Sequence, residues 1–157
     1  MGLDMYLTAK RYIWQSDERD NGIQEKLNEA MNGDLPEGMR VNEVSVNAMY
    51  WRKANAIHNW FVEKCQNGID ECQETRIARE QLKKLVATCK AVLADKSKAH
   101  KLLPCASGFF FGNTNYDEFY FEDLEYTKGV LEKYMKEDVS EWNPHFAGSR
   151  TTVRPQK

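Results

Sequence analysis

The sequence predicts a single α+β domain, in which a small β-sheet of at least two strands packs against three or four helices. Two segments with strand-like alternation, residues 5–14 and 40–50, flank one short helical segment, and longer amphipathic segments follow them. The chain of 157 residues is long enough to bury a core of its own. Segments in which apolar residues recur every two residues, followed by segments in which they recur with the 3.6-residue period of a helix, are typical of this fold class.

Both strand-like segments separate apolar from polar side chains. Residues 5–14 place Met5, Leu7 and Ala9 on one side, and residues 40–50 place Val44 and Val46 on one side. A helix over residues 20–31, capped by an Asp or Asn, is expected between them. Either a parallel crossover or an antiparallel pairing fits that arrangement.

Three further helices are expected. An aromatic-rich helix over residues 51–66 ends at an Asn-Gly pair, and residues 72–95 repeat apolar side chains at three- and four-residue steps. A cap at Asn115, with Glu118 three positions on, starts a helix that reaches residue 136. Residues 1–138 therefore form the predicted domain, and residues 139–157 are expected to be a loosely ordered C-terminal extension.

Composition excludes several function classes. The formal net charge of −2 argues against attraction of the whole protein to nucleic acid or a membrane surface, so direct nucleic-acid binding is not expected. No apolar run reaches the length of a membrane span. Four cysteines without a CxxC pair, and without a signal peptide, predict reduced thiols in a cytoplasm. No cofactor and no metal site is predicted, because zinc sites usually take two ligands from a tight local pair.

The segment of residues 50–61 breaks binary patterning twice. On a helix, His58 lies in the middle of the apolar arc, whereas Trp60 lies on the polar side beside Arg52 and Lys53. Such violations tend to occur at functional or strained sites. His58 is then either a core histidine with a satisfied hydrogen bond or a neutral general base or ligand contact.

An outward Trp60 with two cations forms the best binding signal. An exposed indole beside Arg52 and Lys53 can stack a base and hold a phosphate, or it can dock a partner protein. The alternative is that another element, such as the C-terminal segment, covers Trp60.

The glycine-containing loop over residues 107–114 lacks the Gly-Lys-Thr ending of a phosphate-binding loop. The helix after it begins with two acidic residues, which repel an anion. Asn113 and Tyr116 are therefore expected to offer uncharged contacts to a ligand. The predicted ligand-binding surface combines Tyr50, Arg52, Lys53, His58, Trp60, Asn113 and Tyr116.

No residue is assigned a catalytic role from the sequence. A Gly-x-Ser-x-Gly elbow is absent, and no cysteine stands next to a histidine.

Three blocks are distinctive in combination: residues 1–7 (MGLDMYL), residues 50–61 (YWRKANAIHNWF), and residues 107–112 (SGFFFG) followed by YDE at 116–118. With them the chain resembles a family of small, mostly uncharacterised proteins carried by bacteriophages and prophages. The resemblance extends to about residue 134. It implies an accessory protein that acts in the cytoplasm of a bacterial host, where such proteins often inhibit host defence.

The function expected from these arguments is binding. The protein would counteract a host defence, either by sequestering a nucleotide-like ligand or by blocking a host defence protein. The alternative is a small enzyme that acts on a nucleotide or phosphoester, with His58 as general base. The sequence leaves the oligomeric state open.

Overall fold

The computed structural model describes residues 2–14, 16–31, 35–107, 114–136 and 140–151, and gives the backbone alone for 149–151. Within this part the chain forms one antiparallel sheet of four strands and five α-helices, so the predicted α+β fold is confirmed. The strands are β1 (Gly2–Tyr12), β2 (Glu43–Arg52), β3 (Thr75–Arg76) and β4 (Asn143–Thr151). The helices are α1 (Glu18–Ala30), α2 (Asn55–Cys65), α3 (Arg79–Ala94), α4 (Ala99–Leu102) and α5 (Glu118–Lys136), with a 3₁₀ helix at Lys96–Lys98.

The strand order is β2-β1-β4-β3, and every neighbouring pair is antiparallel. Of the two pairings that the sequence allows for its strand-like segments, the structure therefore has the antiparallel one. β1 is central because it pairs with β2 along one edge and with β4 along the other.

The expectation that the chain after residue 138 is a loose extension was wrong for residues 143–151, which form a strand. β4 pairs with β1 from Lys10↔Asn143 to Gly2↔Thr151. Phe146 lies opposite Leu7 and both are fully buried. Strand pairing and burial of this one large side chain outweigh a polar local composition. Residues 152–157 lie outside the described part of the chain.

One face of the sheet carries the core. Leu3, Met5 and Leu7 of β1 point towards the helices and are fully buried. Helix α2 contributes Phe61, whose ring stacks on Phe146 with centroids 4.0 Å apart. Helices α3 and α5 pack against each other and complete this core.

The opposite face of the sheet is more exposed. Tyr6 and Tyr12 of β1 and Tyr50 of β2 all lie there with more than a third of their surface accessible. Tyr6 and Tyr50 are cross-strand partners with ring centroids 5.3 Å apart.

Two helices begin later than the sequence pattern predicts. Trp51 and Arg52 still pair with β1, so α2 starts only at Asn55. Helix α3 starts at Arg79 because residues 75–76 form β3 along the edge of β4. Among the helices in the described ranges, none combines the length and apolar character needed to span a membrane.

Candidate functional site

A cavity of about 490 Å³ lies between the turn that joins β2 to α2 and the N-terminal half of α5. Its volume falls in the range of small-molecule sites. One wall is formed by residues 52–57, and the other by Cys105, Asn115, Asp117, Phe119, Tyr120, Glu122, Asp123 and Leu124.

The β2–α2 turn holds Lys53 in a left-handed backbone conformation. Its φ is 60°, a region that costs a residue with a Cβ about 1 kcal/mol or more. The amide of Lys53 donates to the carbonyl of Leu3 at 2.7 Å, and its carbonyl accepts from the amide of Asn55 at 2.8 Å. These bonds fix the turn, so that Arg52 and Lys53 both border the cavity.

The first turn of α2 faces the same cavity. Ala54 stands at the N-cap and has no side-chain acceptor for the amides of this turn. Residues 54–57 line the cavity, so the positive end of the helix dipole and two cations lie on one wall.

Asn55 attaches α2 to the segment that leads into the glycine-containing loop. Its Nδ2 donates to the carbonyl of Ala106, and its Oδ1 accepts from the Ala106 amide, both at 2.8 Å. One turn further on, Asn59 Nδ2 donates to the carbonyl of Pro104 at 3.0 Å. Sequence reasoning missed this positioning role, although two amides spaced four residues apart on one helix face were its signal.

The opposite wall is acidic. Asp117 accepts a hydrogen bond from the amide of Tyr120 at 3.2 Å, which caps α5. Burial, with smaller contributions from the carboxylates of Glu122 and Asp117, raises the pKa of Asp123 to about 6. The cavity is therefore dipolar, with cations on one wall and carboxylates on the other.

The remaining predicted site residues are spread over the molecule. Tyr50 lies on the exposed face of the sheet, where its hydroxyl donates to Asp4 Oδ1 at 2.5 Å. Tyr116 borders a second, shallower groove beside the cavity, and its hydroxyl accepts from the Cys105 amide at 3.4 Å. Asn113 lies outside the described residues. Of the described members of the predicted set, Arg52 and Lys53 line the cavity.

Trp60 does not face solvent. It is 7% exposed and packs edge-on against Phe61, with ring centroids 5.4 Å apart, so the prediction of an outward indole was wrong. The physical reason is that α2 has buried residues around most of its circumference. The division of a helix into one buried apolar face and one exposed polar face does not hold for a helix that is buried on all sides.

His58 points inward as the sequence predicts, and it is 1% exposed. Its Nε2 lies 3.1 Å from Oδ2 of Asp70, a residue of the loop after α2. The imidazole also packs against β4, where Cε1 lies 3.1 Å from the position that a Cβ on Gly148 would occupy. Asp70 is twelve positions further along the chain, so helical spacing could not identify it. His58 does not contribute to the lining of the cavity.

Comparison with known proteins gives no family assignment. No family model, curated protein or solved structure matches this chain. The described side chains include no group of three or more His, Cys, Asp or Glu residues arranged to hold a metal ion.

Proposed function

We propose that this chain is a binding protein whose dipolar cavity holds a small nucleotide-like molecule. The observation that carries the proposal is the position of Lys53 and the N-terminus of α2 across the cavity from the carboxylates at the start of α5. A ligand that fits both walls carries an anionic group at one end and hydrogen-bond donors at the other.

A nucleotide has this distribution of groups. Its phosphate would lie at the first turn of α2, where the helix dipole favours an anion and Arg52 and Lys53 add charge. Its base would meet Phe119, which is 73% exposed at the rim and offers an aromatic face for stacking. Amino groups of the base would donate to the carboxylate of Asp123.

The resemblance to bacteriophage accessory proteins gives this binding a biological setting. In that setting the protein acts in the cytoplasm of a bacterial host and sequesters a nucleotide-like molecule that a host defence needs. Sequestration requires affinity and no chemical step, so the proposal assigns no catalytic residue.

The test is native mass spectrometry of the protein purified from a bacterial host, followed by calorimetric titration with a panel of mono-, di- and cyclic nucleotides. An added mass that disappears on denaturation identifies the ligand class directly. A bare chain that also binds no nucleotide in the panel contradicts the proposal.

Lys53→Asn is the informative variant, since Asn tolerates the left-handed backbone and the change removes the long cationic side chain. We expect its affinity for the ligand to fall about tenfold, the loss of one charge-assisted contact of roughly 1.4 kcal/mol. Lys64→Gln, at the other end of α2, is the matched control and should bind like the wild type. If Lys53→Asn and Lys64→Gln bind the ligand with equal affinity, Lys53 does not contribute to ligand binding, and the proposal loses its cationic wall.

Direct docking of a host protein is a second candidate, supported by the outer face of α5. Phe119 and Tyr126, seven positions apart, are 73% and 47% exposed, and Glu118, Glu122 and Glu125 surround them. Exposed aromatic residues are typical anchors of interfaces. Tyr126 does not line the cavity, so Tyr126→Ala should weaken partner binding and leave nucleotide binding unchanged.

An enzyme with His58 as general base is the weaker alternative. A general base must lie within hydrogen-bond reach of the proton it removes. His58 is enclosed in the core beside Asp70, away from the cavity in which a substrate would bind.

A further inference from the structure

β2 forms an edge of the sheet in the described part of the chain, because it pairs with β1 alone. Three consecutive residues in its middle, Ser45, Val46 and Asn47, are all exposed. Successive side chains of a strand point to opposite faces, so this stretch is uncovered on both faces of the sheet. Val46 is apolar and yet 44% exposed.

The middle of this edge lacks two of the devices that prevent pairing with another chain, charged side chains and prolines. Natural edge strands carry lysines, prolines or inward-pointing charges. Residues 44–51 of β2 include no charged residue and no proline. The strand is charged only at its two ends, with Glu43 at the start and Arg52 at the end.

We infer that the outer edge of β2 is an interface for a second copy of this chain, which pairs through its own β2 in the antiparallel direction about a two-fold axis. The charge pattern favours this occupant. An antiparallel partner places Arg52 of the second copy opposite Glu43, and the symmetry creates the same pair at the other end. Opposite charges directly across two strands stabilise the pairing.

The β-bulge in β2 makes this register consistent with the pleat. Leu7 pairs with Met49 and Thr8 pairs with Asn47, so Ala48 is an extra residue and the facing of the side chains changes at this point. In a regular strand, a register with Glu43 opposite Arg52 would put side chains of opposite faces together. With the bulge, Val46 meets Met49 of the second copy on the side of the sheet that carries the core, and Ser45 meets Tyr50 on the other side.

The inference does not depend on a ligand, and it is tested on the ligand-free chain. Sedimentation equilibrium of the full-length protein over a range of concentrations should show association to twice the 18.3 kDa chain mass. A wild-type protein that stays at 18.3 kDa throughout would overturn the inference.

Charge reversal tests the register. Glu43→Arg places like charges together at both ends of the interface, and we expect the dissociation constant of the dimer to rise about tenfold. Glu43→Arg combined with Arg52→Glu should restore association. The control Glu29→Arg, on the exposed side of α1, should associate like the wild type. A dimer that Glu43→Arg leaves unchanged lies on another surface.

A lysine in the middle of the strand tests the edge itself. Val46→Lys introduces the charge that natural edge strands use, and it should give a monomer. Glu43 also lies 4.0 Å from Lys10 within the chain, so thermal midpoints of all variants are measured to confirm folding. If Val46→Lys does not fold, amide hydrogen exchange of the wild-type protein tests the interface instead. The amides of β2 must exchange more slowly as the protein concentration rises.

Discussion

Gly148 lies against the buried imidazole of His58, which leaves little space for a side chain at this position. A Cβ at this position would lie 3.1 Å from His58 Cε1 and 3.5 Å from Nδ1, closer than most real contacts. His58 in turn is held beside Asp70 and packed near Phe146, with ring centroids 6.0 Å apart. The imidazole therefore has little room to move away from an added methyl group.

Gly148→Ala should destabilise the protein by about 1–3 kcal/mol, the usual cost of overpacking a filled core. Urea unfolding monitored by tryptophan fluorescence measures this change. Gly129→Ala is the matched control, because Gly129 lies within α5 and a Cβ there meets nothing within 4 Å. That variant should stabilise the protein by about 0.5–1 kcal/mol through helix propensity. Equal effects of the two variants would contradict the packing argument.

At the residue scale, the sequence predicted the inward His58 but not its partner. Its position in the apolar arc of residues 50–61 was visible from spacing alone. Asp70 comes from a loop, and loops have no periodicity that could assign its contact. The prediction that Trp60 faces solvent was wrong for a related reason. The spacing of apolar residues identifies which side chains share one face of a helix, but it does not show which other elements cover the opposite face.

The elements are joined across the core by a buried hydrogen bond from β2 to α5. Trp51 Nε1 donates to Thr127 Oγ1 at 2.8 Å, and both residues are at most 2% exposed. The same hydroxyl donates to the carbonyl of Asp123 at 2.6 Å, one turn earlier in α5. Because Asp123 lines the cavity, this contact ties the position of the acidic wall to the end of β2.

Thr127→Val keeps the shape of the side chain and removes the acceptor for the indole. We expect it to cost about 1–3 kcal/mol, because a buried N–H is left without its partner. Chemical denaturation measures the loss. Thr127→Ser, which keeps the hydroxyl, should lie closer to the wild type than Thr127→Val, and the reverse order would contradict this role of the hydrogen bond.

The prediction of elements from the sequence followed their periodicity. β1, β2 and the later helices repeat apolar residues at two-residue or three- and four-residue steps, and each was found, although α3 begins at Arg79 rather than at residue 72. β3 has two residues and β4 contains a proline and a glycine, so neither carries such a pattern. Both are strands because they pair with strands already formed.

For the whole molecule, the fold class was predictable and the cavity was not. Its walls come from residues 52–57 and from Cys105 with residues between 115 and 124, which approach each other only when α5 packs on the core. Arg52 and Lys53 were singled out from the sequence, since two cations beside aromatic residues are a local signal. The role of Asp123 depends on its burial, and burial is a property of the assembled chain.

The raised pKa of Asp123 should appear in the pH dependence of stability. The folded state retains a proton on this carboxyl up to a pKa of about 6, whereas the unfolded chain releases it near its ordinary value, close to 4. Between those values the folded state binds more protons, so the contribution of Asp123 to stability falls as the pH rises. The main cause is burial of the charged form.

Asp123→Asn should therefore be more stable than the wild type above about pH 6, and the difference should vanish near pH 4, where the carboxyl is neutral in both states. At neutral pH we expect the free energy of unfolding of Asp123→Asn to exceed that of the wild type by about 1 kcal/mol, after allowance for solvent screening around this partly exposed side chain. Urea denaturation of both proteins at several pH values measures the difference.

Asp95→Asn is a control of opposite sign, because hydrogen bonds from Ser97 and Lys98 lower the pKa of Asp95. The Asp95 carboxylate stabilises the fold above its ordinary pKa and loses this effect as the pH falls, so its removal should destabilise the protein at neutral pH. If Asp123→Asn is instead less stable than the wild type at neutral pH, and this deficit disappears as the pH falls, the carboxylate of Asp123 is stabilised in the fold. The acidic wall would then already have the hydrogen-bond donors that the proposal assigns to a ligand.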